Sequence, residues 1–174
     1  MGGANIWGIA RLNKGLHTLH WYVMTLQLKR RVGYISVGLW MVVIFVFSNQ
    51  DSSTSSRQSG TIVDFIESLG SSLGEDLLTF LTRKAAHIFV YFVLGILVYN
   101  LLRTYNMSRR RMVLVSILIA LGYASFDEIH QLFIPGRSGE LRDVLIDTAA
   151  ATIGVLGYAL VDKLRNSKNH ENTV

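Results

Sequence analysis

The sequence predicts an all-α integral membrane protein, a four-helix bundle with an amphipathic segment in its first extracytoplasmic loop. Three observations lead there. Half of the 174 residues are hydrophobic, and they are bunched into uncharged runs instead of being spread at amphipathic spacing. A single proline, Pro135, interrupts the chain. The basic residues fall in short clusters at the ends of the runs, the pattern that sets orientation in a bilayer.

The first run, Val32–Gln50, and the second, Ala85–Leu102, contain no Asp, Glu, Lys or Arg. Each meets the roughly 17–25 residues that a spanning helix needs. The third, Met112–Phe126, reaches that length by continuing into Asp127–Phe133. The fourth, Val144–Val161, is broken only by Asp147, which fits if it lies near one end. Three segments follow: residues 1–31 as a cytoplasmic N-terminal part, 32–162 as the membrane domain and 163–174 as a cytoplasmic tail. Residues 1–23 lack the small-residue cleavage site of a secretory leader, and Met24 offers an alternative start.

Between the first two runs, DSSTSSRQSG reads as a polar linker. From Thr61 the pattern changes, with Ile62, Ile66, Leu69, Leu73 and Leu77 at helical spacing. Such a segment can lie in the interface or pack as a lid on the helix ends. If four helices alternate, twelve of the 17 Lys and Arg fall on one side. The positive-inside rule then places both termini in the cytoplasm. Split into juxtamembrane clusters, these charges argue against a nucleic-acid face. Without cysteine there are no disulfides, thiol chemistry or thiolate metal ligands.

Polar residues gather at the end opposite the basic clusters. Asp127 is sixteen positions past Arg111, about 24 Å along the helix at 1.5 Å per residue. Asn49 and Gln50 end the first helix on that side, with Ser48 before them. Arg83, Lys84 and His87 open the second, and Tyr91 shares the face of His87. Asp143 and Asp147 open the fourth. The opposite halves offer almost no polar groups. An ionisable group in a spanning segment is costly and marks a functional site by default. Spacing puts Asp127 on one face with His130 and Gln131, and turns Glu128 elsewhere, toward the headgroups.

In order and spacing, these residues resemble the VanZ-like membrane proteins. The resemblance rests on Ser48-Asn49-Gln50 and on Arg83-Lys84-x-x-His87-x-x-x-Tyr91-x-x-Leu94-Gly95. Its most specific part is Phe126-Asp127-Glu128-x-His130-Gln131-x-Phe133-x-Pro135-Gly136-Arg137-Ser138-Gly139, followed by Asp143 and Asp147-Thr148. Two departures are Asp147, where asparagine is common, and Ala150, where a glycine is expected. The resemblance implies a bacterial cell-membrane protein associated with teicoplanin resistance. Teicoplanin acts outside the membrane on a lipid-linked cell-wall precursor, so an outward polar site is in the right compartment. Membrane lipids, that precursor and the glycopeptide itself are the partners implied.

Two classes of function fit the residues. In the first, the site binds a lipid-linked or envelope anion, with Arg83, Lys84, Arg137 and Arg142 as cations suited to phosphate or carboxylate. In the second, it is a small membrane hydrolase or transferase, with His87 or His130 as base and Asp127 as orienting or acidic group. A third reading needs no ligand: His87, Asp127 and Asp147 form a polar clasp that fixes helix register. No cofactor is expected. His87, Asp127 and His130 lack a compact zinc signature, and no phosphate-cradling GxxxxGK[ST] loop is present. Pro135-Gly136 turns the chain back, and Ser138 is placed to cap the fourth helix with Glu140 in its first turn.

Overall fold

The computed structural model describes residues 6–49, 60, 63, 75–135 and 139–171. Within them the chain forms four helices: α1 (Ile6–Ser48), α2 (Glu75–Leu102), α3 (Arg109–Gln131) and α4 (Leu141–Glu171). Each contains a stretch long and apolar enough to cross a membrane: Val23–Ser48, Leu77–Leu102, Arg109–Gln131 and Leu141–Lys168. The third run does extend through Asp127 to Gln131, and Asp147 sits in the second turn of its helix. The 43 residues of α1 make a rod about 65 Å long, twice what a hydrocarbon core of about 30 Å requires. The N-terminal segment is therefore continuous with the first span. Of the amphipathic loop segment, only Val63 and the start of α2 lie within the described residues; Val63 and Leu78 are buried.

The bundle exposes a large apolar surface around a core that mixes Ile44, Leu94 and Val98 with small residues. Large side chains such as Leu39, Phe89, Leu118 and Ile153 point outward, whereas Ala120, Ala124, Ala150 and Ala151 are buried. Lipid tails are as apolar as leucine, so helices associate here through close packing of small residues. The most extensive contact is between α2 and α4; α3 packs on α4, and α1 leans mainly on α2. At that central crossing, a Cβ on Gly95 would overlap the carbonyl oxygen of Ala151, and one on Gly154 would overlap that of Phe92. Gly157, in contrast, faces open space.

Local chemistry sets the ends. The Ser108 hydroxyl accepts from the amide of Arg111 and caps α3. Beyond Gln131, three turn-type bonds tighten the chain, from Leu132 N to Ile129 O, Phe133 N to His130 O and Ile134 N to Gln131 O. Pro135, lacking an N–H, cannot continue it. The sequence reading of Glu140 is corrected here: it precedes α4, and its carbonyl accepts from the amides of Asp143 and Val144. Asp143 occupies the first turn instead, where a carboxylate meets the positive end of the helix. Ser138 lies outside the described residues.

Candidate functional site

The C-terminal ends of α1 and α3 and the N-terminal parts of α2 and α4 meet at one end of the bundle. Tyr91 is fully buried in α2, and its hydroxyl donates to Asp127 Oδ2 of α3 at 3.4 Å. The Ser48 hydroxyl of α1 also faces the Asp127 carboxylate. One turn back from Tyr91, His87 Nδ1 lies 3.6 Å from Asp147 Oδ2 of α4. One turn nearer the end, Lys84 pairs with Asp143. The second helix thus presents a ladder of Lys84, His87 and Tyr91, each rung facing a carboxylate. Four residues separate Asp143 from Asp147 and three or four separate the ladder's rungs, so both faces repeat with the helical turn.

Asp127 and Asp147 are each only 1% exposed. Among the described residues at this end, Asp127 Oδ1, Asp147 Oδ2 and Thr148 Oγ1 are buried without a hydrogen-bond partner; Tyr99 Oη and Asp162 Oδ1 are so at the other end. Buried carboxylate oxygens are normally bonded, because leaving one unpaired costs about 1–3 kcal/mol or more. Two of the atoms at this end are carboxylate acceptors and the third is a hydroxyl; His87 Nδ1, 3.6 Å from Asp147 Oδ2, stands beyond hydrogen-bond reach.

Glu128 corrects the sequence expectation. It does not face headgroups: it is 5% exposed, and its Oε2 accepts from the backbone N–H of Glu140 at 2.8 Å. The cause is the returning chain, which lies so close that a Cβ on Gly139 would overlap the carbonyl oxygen of Glu128. Gln131 likewise serves another partner than Asp127, donating to Ser48 Oγ at 3.0 Å and to Glu128 Oε1 at 3.4 Å. His130 turns toward α1, with Nε2 3.2 Å from Asn49 Oδ1 and its ring stacked on Phe45. Two histidines that spacing left equivalent are therefore separated. His87 belongs to the carboxylate cluster, and His130 to an aromatic flank.

At the rim, Arg83 is half-buried. Arg142 is largely exposed and reaches Glu140 at 3.1 Å. Gln50 and Arg137 lie outside the described residues. No group of three or more His, Asp or Glu among the described residues converges into a metal-ligand set.

A family model described as VanZ/LLP1 matches residues 34–162. The chain belongs to the VanZ/LLP1 family. No curated protein and no solved structure matches it.

The span shared with the VanZ/LLP1 family takes in the whole carboxylate cluster, and also a second polar cluster that the sequence reading missed. At the basic end, Arg103 Nη2 lies 2.7 Å from Asp162 Oδ1, which is buried, and its Nη1 donates to the Tyr158 hydroxyl at 3.2 Å. That hydroxyl in turn donates to Asn100 Oδ1 at 3.0 Å. The half expected to be nearly apolar is tied by its own network. The signal was available: Asn100 and Arg103 are three apart, Tyr158 and Asp162 four apart, each pair on one helical face. Ending the fourth run at Val161 turned Asp162 into a flank.

Proposed function

We propose that this VanZ/LLP1 member sits in the bacterial cell membrane with both termini cytoplasmic and its carboxylate cluster near the outer surface. There it binds a lipid-linked or cell-envelope anion. The orientation rests on the basic clusters at the opposite end. One observation carries the binding: three buried oxygens, Asp127 Oδ1, Asp147 Oδ2 and Thr148 Oγ1, have no hydrogen-bond partner among the described residues. At the rim come the half-buried Arg83, Lys84 paired with Asp143, and the exposed Arg142, which reaches Glu140 and would exchange that surface partner for a phosphate. A deep set of acceptors suits the hydroxyl, amide or ammonium groups of a headgroup, while the cationic rim suits its phosphate. The ligand is therefore a phosphate-bearing lipid whose headgroup also donates hydrogen bonds. A saccharide- or peptide-bearing precursor has both features, which connects the site to glycopeptide action.

The enzymatic alternative is favoured by the approach of His87 to Asp147, a base beside an orienting carboxylate, with Asp127 one helix away. Water would be the nucleophile and a lipid-linked phosphate the substrate. The binder is preferred because no nucleophile–base–orienter set is complete: the Ser48 hydroxyl faces Asp127 and Gln131, and Thr148 Oγ1 has no hydrogen-bond partner among the described residues.

Teicoplanin susceptibility of a sensitive Gram-positive host tests the proposal, comparing empty vector, wild type and Asp127→Asn at equal membrane abundance. Protection by wild type alone supports it. Equal protection by Asp127→Asn removes that residue from the site and favours the clasp. Loss with His87→Ala, together with a new product in lipid extracts, selects the enzyme.

A further inference from the structure

A shallow cleft of about 640 Å3 opens between α3 and α4 at the basic end of the bundle. Arg109, Arg110 and Lys163 stand at its mouth, and Leu114, Leu156 and Leu160 line its length. All three leucines are more than half exposed. Leu114 is one turn beyond Arg110, whereas Leu160 and Leu156 follow Lys163 at successive turns. The apolar wall thus continues about 10 Å along the helices below the cations. Among the described residues, no acid lines the cleft. The acid nearest along the chain, Asp162, is turned to Arg103.

We propose that this cleft holds one anionic phospholipid of the leaflet at the basic end. Its phosphate would sit among Arg109, Arg110 and Lys163, and an acyl chain along the leucines. The layering is the reason: a charged head and an apolar tail meet three cations and then an apolar groove in the same order and direction. Basic pockets between spanning helices bind anionic headgroups by this complementarity. A second copy of the chain fits less well. Twelve of the 17 Lys and Arg fall in the segments at this end, against Asp162 and Glu171 among the 12 acids. Apposed copies would bring like charges together. The neighbouring cleft between α1 and α2 holds Lys29 and Arg103, but Arg103 is already committed to Asp162 and Tyr158.

The site is independent of the carboxylate cluster and of the function proposed for it. Its test uses the full chain in nanodiscs of phosphatidylcholine, with and without phosphatidylglycerol. Lipids retained on release are counted by native mass spectrometry. Wild type is expected to retain phosphatidylglycerol in preference to phosphatidylcholine. Arg110→Gln with Lys163→Gln should weaken retention by about five-fold per cation removed, while Arg110→Lys keeps it. Arg31→Gln, at the same end but on α1, controls for general surface charge. Equal retention by wild type and the double variant overturns the proposal, as does equal loss with Arg31→Gln. A preference for phosphatidylcholine, or a dimer cross-linked through Leu156→Cys, overturns it too. Should the double variant unfold, Arg110→Gln alone against Arg110→Lys decides by the same criterion.

Discussion

Asp127 faces the Tyr91 hydroxyl through Oδ2 and also meets the Ser48 hydroxyl, while its Oδ1 has no hydrogen-bond partner among the described residues, in a helix that carries no charge for the fifteen residues before it. A clasp would have both oxygens bonded. The two readings diverge in a single substitution. Asp127→Asn should leave the melting temperature in detergent unchanged or raise it, because it removes a buried charge that the fold does not complete. A clear fall would support the clasp. Glu128 behaves oppositely, because its carboxylate is bonded to the returning chain at Glu140 and to Gln131. Glu128→Ala should cost about 1–3 kcal/mol, read from thermal unfolding, while Glu128→Gln retains part of the contact through its amide oxygen. At this scale the sequence revealed which residues were out of place, but not whom they met. Depth along the helix singled out Asp127, Asp147, His87 and Tyr91. Helical spacing alone misplaced Glu128, because the group that buries it comes from a loop, twelve residues on in the chain.

Between elements, the decisive contact is α2 against α4. This crossing holds His87 at the height of Asp147, and Tyr91, one turn on, reaches Asp127 of α3. Gly95 and Gly154 allow it by leaving room for the opposite backbone. Gly95→Val should therefore force the helices apart. A destabilisation of about 1–3 kcal/mol is expected, with Gly157→Ala nearly silent because that position is open. Thermal unfolding of the two variants checks the contrast, and comparable effects from both would refute the crossing. The sequence suggested close approach on α4 but could not say which glycine made it, since the face depends on the partner helix. The expected glycine at position 150 is not missed. Ala150 is buried in the core, and Gly154, one turn later, takes the closest contact.

At the scale of the whole molecule, the fold was the most legible property. Uncharged length, not fine periodicity, determines a spanning helix, and all four runs became helices. The polar network at the basic end was less legible. A run boundary drawn at the first charge counts Asp162 and Arg103 as solvated flanks, when their mutual pairing draws Asp162 inward. Charge asymmetry also makes orientation testable. The chain has no cysteine, so Ser53→Cys and Asn106→Cys each introduce a single thiol on opposite sides. On intact cells, a membrane-impermeant maleimide should label Ser53→Cys and spare Asn106→Cys; the reverse would invert the proposed topology. The most direct measurement of the central claim is native mass spectrometry of lipid retained from a total envelope extract. It would compare wild type with Asp127→Asn and Asp147→Asn. Wild type should retain a lipid-linked phosphate species with a donor-bearing headgroup, and each variant should retain about ten-fold less of it. The same lipid complement on all three proteins would contradict the account.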